Sequence, residues 1–141
     1  MIKYFYFILF LFLFTSCELS YPVDTVPIDY LLHDNNSKVW LIKHHYIDGK
    51  DVVPQRFEDK KVVIFYSNGF YRMTQVKFIG QRIDKKESYY INPDSKELQL
   101  NVEDKYWIMQ LKELSTDSLN LKATKKSDYP QDLVLIPFPE Y

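Results

Sequence analysis

One cysteine, three glycines and no surplus of either charge are the scarcities of this 141-residue chain. A lone Cys17 has no second cysteine to pair with, so no disulfide framework holds the fold, and no thiol joins the histidines in a metal site. Lysine plus arginine number 18 against 19 acidic residues. With Lys3 set aside as part of a removable leader, 17 − 19 leaves −2, too small and too mixed a charge to attract nucleic acid. Nucleic-acid binding is not expected. Nor is there an apolar run long enough to span a membrane as a helix, which takes about 20 residues. The longest, Tyr4 to Phe14, stops at eleven. No internal repeat or low-complexity tract follows residue 17.

That short run has the layout of a secretory signal: Lys3 supplies a positive amino-terminal region, Tyr4 to Phe14 the apolar centre, and small residues precede a cut site. Thr15-Ser16-Cys17 resembles the lipobox of bacterial lipoproteins. The resemblance implies cleavage after residue 16 and lipidation of Cys17, which would turn an otherwise unpaired thiol into a membrane anchor. Acyl chains contribute about 0.8 kcal/mol per buried methylene, so several of them hold a protein firmly. Surface-exported lipoproteins of the Bacteroidetes type often carry an acidic run after the cysteine; "CELSYPVD" has Glu18 and then no acid before Asp24. The implied location is the outer membrane, with the anchor facing the periplasm.

Residues 17–36 read as the lipidated cysteine and a tether, since Pro22 and Pro27 prevent regular pairing. Within it Ile28, Leu31 and Leu32 fall at helical spacing, which suits a turn of helix capping a core. From residue 37 to 141 the signals are those of strands. Tyrosine is plentiful and glycine and alanine scarce, a composition for pleated, half-buried surfaces. "KVWLIKHHYI" ends at the turn dipeptide Asp48-Gly49, and "KKVVIFYS" and "FYRMTQVKF" flank Asn68-Gly69. "SYYI" and "ELQLNV" flank "NPDSK"; "KYWIMQLKEL", "LNLKAT" and "DLVLIPF" follow. In "EDKYWIMQLKEL" Trp107, Leu111 and Leu114 fit a helix while Trp107, Met109 and Leu111 fit a strand; the flanking turns favour the strand. At Asn68-Gly69 a two-residue turn aligns Val62, Ile64 and Tyr66 with Tyr71 and Met73, whereas a three-residue turn aligns Val63 and Phe65 with them. Either way Tyr71 and Met73 point inward.

The run of elements from "KVWLIKHHYIDGK" through "VIFYSNGFYRM" and "YYINPDSKELQL" to "WIMQLKELSTDSLNLKA" resembles the lipocalin-like domains of small Bacteroidetes lipoproteins. Trp40 stands where lipocalins have the tryptophan of their Gly-x-Trp motif; Lys38 replaces the glycine, and no arginine follows Arg82. The resemblance covers residues 37–136 and implies an all-β, antiparallel up-and-down barrel of about eight strands. Eight strands enclose a space that side chains fill or that holds one small ligand.

Catalytic signatures are missing. His44 and His45 are adjacent on a strand and so face opposite ways, and His33 lies in the tether. Ser67 sits in a hairpin turn without a Gly-x-Ser-x-Gly elbow. "FEDKK", "IDKKES" and "VEDKY" interleave acids with lysines and read as solvated loop tips. No enzymatic activity, metal or cofactor is expected. The aromatics are the candidates for binding: Trp40, Tyr71 and Trp107, together with Met73, as the lining of a pocket for a small apolar or amphipathic ligand. Outward-facing tyrosines would instead anchor a protein assembly of the envelope through the barrel surface.

Overall fold

The computed structural model describes residues 26–82 and 85–139. Cys17 and the signal segment lie outside them. The Asn68-Gly69 turn fixes the first register. It is the three-residue form: Phe65 pairs with Tyr71 and Val63 with Met73, leaving Ser67, Asn68 and Gly69 as the loop between Tyr66 and Phe70. Gly69 has φ +83°, a region that L side chains avoid and that this turn requires. Of the two registers open in the sequence, this one places Val63 and Phe65 beside Tyr71 and Met73.

Nine strands follow one another in the described residues: β1 (Ser37–Ile47), β2 (Lys50–Asp51), β3 (Lys61–Tyr66), β4 (Phe70–Gln75), β5 (Glu87–Asn92), β6 (Glu97–Val102), β7 (Lys105–Leu114), β8 (Leu119–Ala123) and β9 (Gln131–Pro137). All neighbours are antiparallel, and β9 returns to pair with β1 from Trp40–Pro137 to Ile47–Gln131. The result is a closed eight-stranded barrel with the two-residue β2 added to β1. Closure leaves few unpaired edges, the general hazard of antiparallel sheets. The segment 105–114 is a strand, as the flanking turns require. "FYRMTQVKF" is shorter as a strand than its alternation suggests, because Val76–Phe78 form a 3₁₀ turn. Beyond the Lys61–Gln75 pair β3 offers no partner, and β5 meets β4 only at Phe70 and Tyr71.

Period-two alternation fills the interior. Trp40, Val63, Phe65, Tyr71, Leu98, Leu100, Met109, Leu121, Leu133 and Leu135 form one buried cluster. On β1 the alternation is broken on purpose: the register with β9 shifts between Ile42 and His44. Lys43 is the extra residue of this bulge, so that His45, not His44, continues the inner face begun by Trp40 and Ile42.

Among the described residues one short helix, α1 (Ile28–His33), precedes β1. Ile28 and Leu32 pack against the barrel cluster, with Leu32 fully buried. Its last turn leaves carbonyls without helical partners. The Trp40 indole N–H donates to the Leu32 carbonyl at 2.9 Å, and Asp34 in a left-handed conformation ends the helix by returning its N–H to the Tyr30 carbonyl. The stretch read as tether thus carries a plug for one end of the barrel. A second, smaller apolar patch covers the outer side of β1 and β3: Leu41, Val62 and Ile64 are buried there, outside the inner cluster. Phe57, between β2 and β3, meets Phe138 at 6.1 Å between ring centroids.

Candidate functional site

In an up-and-down meander the end of one strand and the start of the next lie at the same rim. Helix α1 sits at the rim where β1 begins. The opposite rim gathers the end of β1, the start of β3, the start of β5, the end of β6 and the starts of β7 and β9. At that rim a cavity of about 400 Å³ opens into the barrel. Ile42, Tyr71, Met73, Val102, Trp107 and Tyr129 form its apolar lining; His45, Lys61, Arg72, Lys85, Glu87 and Gln131 supply its polar groups. An apolar hollow with a few converging polar groups is the ordinary construction of a small-ligand pocket.

The aromatic wall is held by its own hydrogen bonds. Trp107 stands 6.0 Å from His45 on one side and 6.0 Å from Tyr129 on the other. Its indole N–H donates to the Gln131 carbonyl at 3.3 Å. The His45 Nε2–H donates to the Gln131 side-chain oxygen at 2.7 Å, since an amide oxygen only accepts. The two strands β1 and β9 are therefore stitched at the rim by side chains as well as by backbone.

Across the cavity, the Tyr71 hydroxyl faces two acceptors, Glu87 Oε2 at 3.0 Å and the Asn101 carbonyl at 2.9 Å. Burial first, and the Glu87 carboxylate second, push this phenol far above its ordinary pKa, so it remains a neutral donor. The Lys85 ammonium lies 3.2 Å from Glu87 and 3.2 Å from Glu103. Hydrogen bonds to these two carboxylates raise its pKa and keep it charged. Arg72 flanks the narrow β4–β5 pairing and donates to the carbonyls of Gln81 at 3.0 Å and Phe78 at 3.4 Å. Its Nε is buried without a partner among the described residues.

Of the residues singled out in the sequence, Tyr71, Met73 and Trp107 meet in this cavity. Trp40 does not join them. It is fully buried at the α1 end, with its N–H taken by Leu32. The polar rim was not legible as a site. Lys61 continues the inner face of Val63 and Phe65, and Glu87 that of Tyr89, yet both fall inside charge runs that read as loop tips. Extending the alternation two residues past each apolar strand would have found them. His44, on the outer face, donates to Asp51 Oδ2 at 2.7 Å, away from the cavity.

Among the described residues no three His, Cys, Asp or Glu side chains come together to hold a metal ion, and no helix is long and apolar enough to cross a membrane. Neither a scan against protein-family models nor a search of the curated proteins finds a match to this chain.

Proposed function

We propose that this chain is an envelope lipoprotein, anchored through Cys17, whose lipocalin-like barrel holds a small apolar or amphipathic ligand without transforming it. One observation carries the binding half of this reading. The barrel is plugged at one end by α1 and hollow at the other, where Tyr71, Met73 and Trp107 line about 400 Å³. The anchoring half rests on the Thr15-Ser16-Cys17 pattern behind an eleven-residue apolar run.

Each half has its own test. Native mass spectrometry of the full chain, released from detergent micelles after incubation with a lipid extract, is expected to show a bound mass of a few hundred daltons. Met73→Trp, which fills the hollow, should remove it. A bare chain with no added mass for the wild type as well as the variant would reject the carrier reading. Cys17→Ala should move the protein out of the membrane fraction or block its processing, and unchanged membrane retention would reject the anchor.

A second reading draws on the outer face. Tyr90 is 61% exposed and Tyr106 49%; such tyrosines are enriched where proteins meet. On this reading the chain would hold an envelope assembly to the outer membrane through its barrel surface. A partner captured by the wild type and lost in the Tyr90→Ser, Tyr106→Ser double variant would favour it.

A further inference from the structure

At the cavity mouth Lys61 is a cation with no carboxylate partner among the described residues, and from that we infer that the ligand is an amphiphile with an anionic head group, held at the rim by Lys61. This rests on the carrier reading above and adds the chemical class of what is carried.

Among the residues lining the cavity, Lys61 and Lys85 bring cations to its mouth and Glu87 a carboxylate, while Arg72, paired with Ile64, has its side chain on the outer face of β4. Lys85 is matched by Glu87 and by Glu103, each at 3.2 Å. The Glu87 carboxylate is already engaged: Lys85 lies 3.2 Å from it and the Tyr71 hydroxyl 3.0 Å. A cationic head would have to displace an ammonium to reach it. Lys61 is in the opposite situation. It sits on the inner face of β3 at the rim, in line with Val63 and Phe65, and no carboxylate lies within 4 Å of it among the described residues. Arg72, on the outer face of β4, has its charge bonded only to backbone carbonyls. Neither cation brings a competing anion to the mouth.

The depth of the cavity is apolar where the mouth is charged. Below Lys61 the lining passes to Met73, Tyr71, Ile42 and Trp107. The Tyr71 proton is already committed to Glu87 or Asn101, and the Trp107 N–H to Gln131. A ligand that pushed polar groups against Tyr71 or Trp107 would lose their hydration and find both donors already taken, at a cost of the order that excludes mismatched ligands from apolar pockets. An acyl or alkyl chain meets no such cost. The orientation is therefore head at the mouth and chain inward, with Lys61 able to use its flexible stem to follow head groups of different size.

The test compares probes that differ only in head charge. Three twelve-carbon chains bearing a mid-chain diazirine, ending in a carboxylate, an alcohol or a trimethylammonium, are offered to the full chain in nanodiscs of zwitterionic lipid. Photolabelling of the peptides containing Met73 and Trp107 is measured relative to labelling of the disc lipid. The carboxylate is expected to label them about tenfold more than the alcohol, a ratio worth about 1.4 kcal/mol. Lys61→Gln should bring the carboxylate within about twofold of the alcohol, and Lys61→Arg should retain the preference. A trimethylammonium probe that labels as well as the carboxylate would overturn the assignment of charge, as would a preference untouched by Lys61→Gln. Absence of labelling by all three would overturn the carrier reading beneath it.

Discussion

The two ends of the barrel are made from the same alternating strands and come out differently. At the α1 end the inner positions carry Trp40, Phe65, Leu98 and Leu135, and a six-residue helix drops Leu32 into the remaining space. The Tyr89 ring meets Phe65 edge-on at 5.1 Å, and the Ser67 N–H donates to the Asn36 carbonyl at 2.8 Å, tying the β3–β4 turn to the turn between α1 and β1. At the other end the same faces carry Lys61, His45, Gln131 and Glu87, and no helix of the described residues covers them. Long polar side chains keep their heads in water and leave the space between them open. The lesson is that an eight-stranded barrel is filled or hollow according to a handful of inner side chains near each rim, not according to its strand count.

The largest effect should come from breaking the closed end. Trp40→Ala removes a fully buried indole and orphans the Leu32 carbonyl that its N–H satisfies. Loss of a buried aromatic of this size costs about 3–5 kcal/mol, a large share of the stability of a small domain. Chemical denaturation should show the midpoint falling accordingly. A shift under about 1 kcal/mol would mean that α1 and Trp40 lie on the barrel rather than close it.

Overpacking distinguishes the ends more sharply than deletion. Leu98→Phe adds bulk where Leu98 has no exposed surface and should cost about 1–3 kcal/mol. Met73→Trp adds more bulk on the same inner surface but at the hollow rim, and should change stability by less than about 1 kcal/mol because the ring has about 400 Å³ to occupy. Equal losses for the two variants would show that the cavity walls are as unyielding as the core.

A smaller effect is expected from Tyr71→Phe. The ring stays against Phe65, at 6.3 Å, but the hydroxyl shared by Glu87 and Asn101 is gone. Water in the mouth can replace it, so the cost should stay near the net worth of one hydrogen bond, about 1 kcal/mol. A loss of several kcal/mol would place Tyr71 with the sealed core instead of the cavity wall.

The barrel itself was legible because its signals are local. Turn dipeptides such as Asp48-Gly49 and Asn68-Gly69 and the alternation of Trp107, Met109 and Leu111 need no tertiary information. The helical spacing of Ile28, Leu31 and Leu32 likewise announced α1. What the sequence could not convey is where along each strand the interior stops being packed. Trp40 and Trp107 look alike as inward aromatics, yet only Trp107 borders the cavity, because α1 comes back over one end and nothing in the local pattern says which. The bulge at Lys43 decides that His45 and not His44 reaches the cavity. A bulge depends on the partner strand, so adjacent histidines gave no preference between them. The rim residues Lys61 and Glu87 were hidden for a different reason: an inner position at a hollow end is chemically indistinguishable from a solvated loop tip.

The mildest test concerns the β1–β2 hairpin that frames the open end. There Asp51 accepts from His44 Nδ1 at 2.7 Å and from the backbone N–H groups of His45 at 3.2 Å and Val53 at 3.1 Å. The His44 hydrogen bond, with help from these two amides, lowers its pKa from 3.8 to about 2. A carboxyl whose folded pKa is depressed stabilises the fold fully above its unfolded value, and that contribution disappears as the pH falls through the folded one. The hairpin should therefore hold its amides unchanged down to about pH 4 and loosen between there and about pH 2, with Asp51→Asn already loosened at neutral pH. Because the group is exposed, the effect should be confined to hydrogen exchange at His45 and Val53, with the buried amides of Leu98 and Leu135 at the closed end undisturbed. Simultaneous loss of protection at both ends would mean that the hollow rim is not an independent unit, and that the packed end extends its cooperativity across the whole barrel.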